Sequence, residues 1–109
     1  MLPKMKNLTK IDFSETLNGI PRSDICQSVN NMLNACSSFR IEYLNLSDNF
    51  LDYDGARGFN QFLSTNTTIK TLKLDNCKLG LKSCQMMLTA VEKNSKLKLK
   101  EFSASGNDF

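Results

Sequence analysis

The apolar positions of this chain follow two alternating rhythms. Short stretches carry them at the first, fourth and sixth places, as in "IEYLNLSDN" (41–49) and "IKTLKLDNC" (69–77). "LKEFSASGN" (99–107) keeps that rhythm, and "LTKIDFSET" (8–16) matches its first six places before ending in Thr16. The longer stretches between them space apolar residues three and four apart, as one face of a helix does. Strands are predicted near 8–13, 41–46, 69–74 and 99–104, and helices near 23–38, 54–65 and 81–93. The first helix would bury Ile25, Val29, Met32, Leu33 and Cys36 on one face, with Ser23 or Asp24 placed to cap it. The second would bury Ala56, Phe59, Phe62 and Leu63, and the third Cys84, Met87, Leu88 and Val91. At this spacing the Met and aromatic side chains read as core.

Ile11, Leu44, Leu72 and Phe102 hold the fourth place of successive stretches, with steps of 33, 28 and 30 residues. That period and the pattern L-x-x-L-x-L-x-x-N/C describe a leucine-rich repeat with a helix in each unit. The predicted fold is an α/β solenoid of three to four repeats, forming a single partial domain over 1–109. Parallel strands would line its concave face and helices its convex face. Residues at places one, four and six point into the core. The Asn or Cys at place nine turns inward to bond backbone where the strand ends.

The turn after each strand holds the polar candidates. Place seven reads Ser14, Ser47, Asp75 and Ser105, and place eight reads Glu15, Asp48, Asn76 and Gly106. The acidic members form a rim suited to steering a basic partner surface. Glu15, Asp48, Asn49 and Asp75 are the expected partner-binding set. In "LKLDNCKLG" (72–80), Cys77 fills the inward ninth place, which leaves Asn76 exposed. Its neutral amide both donates and accepts. The chain opens almost inside a strand and stops at "SGNDF", before a fourth helix. This predicts either a piece of a longer array or self-association through uncapped repeat ends.

Composition narrows the function classes. The chain has 109 residues, 40% hydrophobic and 23% charged, as an ordinary globular sequence has. No apolar run approaches the roughly 20 residues that span a bilayer, and no apolar stretch follows the basic start as in a signal peptide. The chain has no histidine, and Cys26, Cys36, Cys77 and Cys84 form no CxxC pair. His-based acid–base catalysis is thereby excluded, and a structural zinc site is not expected. The cysteines read as small buried hydrophobes in a reducing compartment. With no phosphate-cradling glycine loop either, neither an active site of its own nor a cofactor is expected. The net charge of +3 is unevenly spread. Asp12 to Asp54 holds seven acidic and two basic residues, and Lys70 to Lys100 holds eight basic and two acidic. The densest basic run, "KNSKLKLK" (93–100), has no interleaved aromatics and reads as a solvated loop, so no nucleic-acid partner is expected.

"LNLSDNFLDYDGARGFNQFL" followed by "TLKLDNCKLG" resembles the Ran GTPase-activating protein family. "IDFSETLNG" upstream and "LKLKEFSASGND" downstream resemble its neighbouring segments, so the resemblance covers nearly the whole chain. It implies a crescent that docks on a Ran-like small GTPase in its GTP form and accelerates hydrolysis, in the cytoplasm and at the nuclear envelope, in service of nucleocytoplasmic transport. The family is similar in using an asparagine, not an arginine finger, to set the GTPase's own glutamine. Magnesium and GTP belong to the GTPase. The alignment implies that Asn76 is that asparagine. It also places Ile20 where the family carries an arginine; Arg22, two residues on past Pro21, is the nearest candidate for that role. Binding without stimulation, by a leucine-rich-repeat interaction module, is the alternative.

Overall fold

The computed structural model describes residues 9–108 as a mixed α/β arrangement. Strands β1 (Lys10–Asp12), β2 (Tyr43–Asn45), β3 (Thr71–Lys73) and β4 (Glu101–Ser103) form one parallel sheet in sequence order. Parallel neighbours need crossover connections. Helices α1 (Ile25–Cys36), α2 (Asp52–Arg57), α3 (Asn60–Thr65) and α4 (Leu81–Glu92) occupy the three crossovers. The register stays in step, with Ile11 opposite Leu44, Leu44 opposite Leu72, and Leu72 opposite Phe102. Residues at one place of the repeat therefore stand in a row across the sheet.

The core lies between the sheet and the helices. Leu44, Leu46, Leu72 and Leu74 from the sheet side are buried against Ile25, Val29, Leu33, Phe59, Leu63 and Met87 from the helical side. Burying each large aliphatic side chain contributes about 1.5–3 kcal/mol. Buried polar groups are matched: Asn94 Nδ2 donates to the carbonyls of Leu63 (3.0 Å) and Asn66 (2.7 Å). Among the described residues no buried side-chain nitrogen or oxygen lacks a partner.

Several boundaries differ from the sequence prediction. Each strand has three residues, not six, yet pairing continues past it. Leu46 N–H donates to Lys73 O at 2.9 Å, and Asp48 N–H to Asp75 O at 2.8 Å. The backbone turns at place seven while its ladder bonds persist. Leu8 lies outside the described residues. Helix α1 is shorter than predicted, and Asp24 holds its N-cap position without a side-chain capping bond. The middle helix starts at Asp52, not at 54, and breaks in two at Gly58 and Phe59. A Cβ on Gly58 would come within 2.7 Å of Cys26 O and of Val29 Cβ. Only glycine lets this turn press so closely on α1. Leu88, predicted inward, is 55% exposed, and Phe102 is 53% exposed, because both lie on the end face beside β4.

Candidate functional site

The turns after the strands share one backbone device. Glu15, Asp48, Asn76 and Gly106, all at place eight, have φ of 59, 63, 56 and 71°. This left-handed region suits glycine and admits Asn and Asp more readily than other residues. Place eight is therefore selected first for conformation, and the side chains it leaves exposed are short and polar. Glu15 is the member that fits this conformation worst.

Place nine supplies the fastening beneath the rim. Asn49 is completely buried. Its Oδ1 accepts from Leu17 N at 2.7 Å, and its Nδ2 donates to Leu46 O at 2.9 Å and Phe13 O at 3.0 Å. Asn107 does the same two repeats along: Oδ1 accepts from Cys77 N (2.8 Å) and Leu79 N (3.0 Å), and Nδ2 donates to Leu74 O (2.9 Å) and Ala104 O (2.8 Å). Between them the Cys77 thiol donates to Leu46 O at 3.2 Å. Burial pushes the Cys77 thiol up to about 11, which keeps it protonated and donating at neutral pH. The buried Cys36 thiol is raised by burial as well. All four cysteines are free thiols.

The rim itself is cross-linked. Asn76 is exposed, and its Nδ2 donates to Asp48 Oδ1 at 3.0 Å. Its Oδ1 lies against Gly106, where a Cβ would overlap it. The Asp48 carbonyl accepts from Asn18 Nδ2 at 3.0 Å, while Asn18 Oδ1 accepts from Phe50 N at 2.7 Å. Arg22 joins the same turn: its guanidinium donates to Phe50 O and to Leu51 O, and stacks 4.2 Å from the Phe50 ring centroid.

The expected site residues thus divide. Asp48 and Asn76 are brought into direct contact on an exposed rim, and Glu15 stands exposed on the same rim. Asn49 is corrected: with no exposed surface it does not face a partner, because its whole hydrogen-bonding capacity closes the turn below Asp48. Asp75 is half-buried, and its Oδ1 accepts from Ser103 Oγ at 2.6 Å and Ser105 N at 2.7 Å, so one oxygen ties β3's turn to β4's. Arg22 is likewise committed to backbone carbonyls. Ile20 is partly buried and packs against the core.

Two features escaped the reading of the sequence. One is Asn18, whose amide braces the Asp48 turn. The other is on the outer face of the sheet, where the half-buried Tyr43 ring has Lys10 Nζ at 4.6 Å and Lys73 Nζ at 5.8 Å from its centroid. Reading places three and five across the aligned strands would have brought these three residues together. Among the described residues no cluster of His, Cys, Asp or Glu is fit to hold a metal ion. No helix among them is long and apolar enough to cross a membrane.

No family model matches the chain. RAN GTPase-activating protein 1 of Arabidopsis thaliana is 31% identical to it over 67 residues. That match takes in 62% of this chain and 12% of the relative, so the chain spans a small part of the relative's length. Among solved structures, the tropomodulin C-terminal domain of Caenorhabditis elegans superposes with a TM-score of 0.69 over 91% of this chain and 56% of that one. At 15% identity this likeness shows a shared fold and nothing of function.

Proposed function

We propose that the chain is a leucine-rich-repeat interaction module whose turn rim docks a Ran-like GTPase in its GTP form. On this reading Asn76 orients the catalytic glutamine of the GTPase. The observation that carries the proposal is the exposed Asn76 amide, held in place by Asp48 at 3.0 Å. With one N–H given to Asp48, the amide retains a second N–H and an oxygen with accepting capacity. That pairing of donor and acceptor complements a glutamine side chain. The sequence likeness to a plant RAN GTPase-activating protein supports the partner class. GTP, magnesium and the attacking water remain with the GTPase, and the module contributes positioning. The acidic rim residues Glu15 and Asp48 steer a basic surface of the GTPase toward the site.

The test is phosphate release from Ran·GTP under single-turnover conditions, with binding measured alongside. Stimulated release is expected, with Asn76→Ala lowering the stimulated rate by about 10²-fold or more while binding changes only a few-fold. Absence of both binding and stimulation would reject the reading.

The binding-only alternative also has an observation in its favour. Arg22 is occupied by Phe50 O and Leu51 O, and Ile20 offers no charge at the position where the resembled family carries arginine. That alternative predicts capture of Ran·GTP with an unchanged hydrolysis rate. A gain of stimulation in Ile20→Arg would separate an impaired activator from a pure binder.

A further inference from the structure

Phe50 is an apolar ring at a place the repeat otherwise gives to charge. Place ten reads Phe50, Lys78 and Asp108, and all three are exposed. On either side of it the chain points inward: Asn49 and Cys77 at place nine are buried, and so are Leu51 and Leu79 at place eleven. The backbone thus turns place ten outward regardless of its side chain. A lysine or an aspartate is well hydrated there, whereas the Phe50 ring, 48% exposed, keeps apolar surface in water.

The turn holds that ring in place. Phe50 N–H donates to Asn18 Oδ1 at 2.7 Å, and Phe50 O accepts from the Arg22 guanidinium. The same guanidinium donates to Leu51 O at 2.6 Å and lies 4.2 Å from the ring centroid. Both backbone polar groups of residue 50 and one side of its ring are therefore gripped by side chains from the preceding turn. The grip continues to the rim. Asn18 Nδ2 donates to Asp48 O at 3.0 Å, and Asp48 Oδ1 accepts from Asn76 Nδ2 at 3.0 Å. Arg22, Phe50, Asn18, Asp48 and Asn76 form one connected series of contacts on the turn surface. A lone exposed apolar side chain is ordinary on a protein surface. A ring fixed by charge-assisted bonds and bordered by polar groups has the make-up of an interface anchor. Because it is ordered before any partner arrives, little freedom remains for it to lose on binding.

We infer that Phe50 is the apolar anchor of the turn rim, entering an apolar pocket on the GTPase surface, and that Arg22 and Asn18 are positioning residues that present its ring. The inference rests on the GTPase reading of the rim and adds to it the residue that supplies affinity. Asn76 orients, Glu15 and Asp48 steer, and Phe50 holds the partner. Arg22 then acts through the ring, without touching the nucleotide site.

Calorimetric titration of the 109-residue chain with Ran·GTP tests it, beside urea unfolding of each variant to confirm that it is folded. Phe50→Ala keeps the backbone bonds of residue 50 and raises Kd about tenfold or more. Phe50→Leu restores apolar contact and recovers most of that loss. Arg22→Met keeps the apolar stem and removes the guanidinium; it raises Kd a few-fold in the parent and adds nothing in Phe50→Ala, since a residue that acts through the ring has no effect once the ring is gone. Failure of the parent to bind overturns the GTPase reading and the anchor with it. Binding by the parent that Phe50→Ala leaves within about twofold overturns the anchor alone. Losses from Phe50→Ala and Arg22→Met that add in the double variant overturn the positioning role of Arg22 and assign it a contact of its own.

Discussion

Asn76 donates its side-chain amide to Asp48 Oδ1 at 3.0 Å, linking the turn after β3 to the turn after β2. Both residues have left-handed backbone, with φ of 56 and 63°. The bond therefore costs little further ordering, since each side chain leaves a turn already fixed by its backbone.

This geometry separates two substitutions at Asp48. Asp48→Asn keeps a residue that tolerates positive φ and keeps an acceptor for Asn76, so its unfolding free energy should stay within about 0.5 kcal/mol of the parent. Asp48→Ala loses the acceptor and takes on left-handed strain, and should cost about 1–2 kcal/mol. Urea unfolding followed by circular dichroism measures both. Equal stabilities for the two variants would mean that neither φ nor the bond matters here.

A larger loss is expected beneath the rim. Asn49→Ala leaves Leu17 N without its acceptor and Leu46 O and Phe13 O without their shared donor. Leu46 O keeps the Cys77 thiol and Phe13 O the Thr16 hydroxyl, so Leu17 N–H is the group left unsatisfied. An unsatisfied buried N–H costs about 1–3 kcal/mol and each further lost hydrogen bond about 0.5–1.5 kcal/mol, so the variant should lose about 3 kcal/mol. A shift below about 1 kcal/mol in the same urea measurement would show that water reaches the site and repairs it.

The contrast between these neighbours shows where sequence reading succeeds. The row of Ile11, Leu44, Leu72 and Phe102 was legible because apolar periodicity records which face of a strand is buried. Cys77 was likewise identifiable as the inward member of its turn, and Asn76 as the outward one. Asn49 was misjudged as a partner contact because an asparagine amide serves both in exposed turns and in buried turn fastenings. Its ninth place, one residue after Asp48, decides between them. The break at Gly58 depends on how near α1 approaches, and the commitment of Arg22 depends on the carbonyls of Phe50 and Leu51. Both are tertiary facts that no local spacing encodes.

Cys77 carries a pH signature. Its thiol rises from an ordinary 9.0 to about 11, chiefly because burial disfavours the thiolate, with the charges of Asp48 and Asp75 adding to the rise. A folded pKa above the unfolded one means that the unfolded chain releases its proton first. The stabilising contribution is thus complete below about pH 9 and is lost as pH rises toward about 11. The informative quantity is a difference between two proteins that share every other group. The stability advantage of the parent over Cys77→Ala should narrow steadily from pH 9 to pH 11. A constant gap would mean that the Cys77 thiol ionises alike in both states.

Glu15 offers the sharpest separation of fold from function. It holds φ of 59° with a side chain ill suited to that region, and it is exposed. Glu15→Gly or Glu15→Asn should relieve the strain, and should stabilise the chain by about 0.5–1 kcal/mol. If the acidic rim steers a basic partner, the same substitutions should slow association and weaken its salt dependence, leaving dissociation nearly unchanged. Stopped-flow binding to Ran·GTP at two ionic strengths, beside urea unfolding, reads both effects. A gain in stability with no change in association rate would assign Glu15 to the turn alone and remove it from the docking surface. Loss of stability would show that its carboxylate makes a contact worth more than the strain.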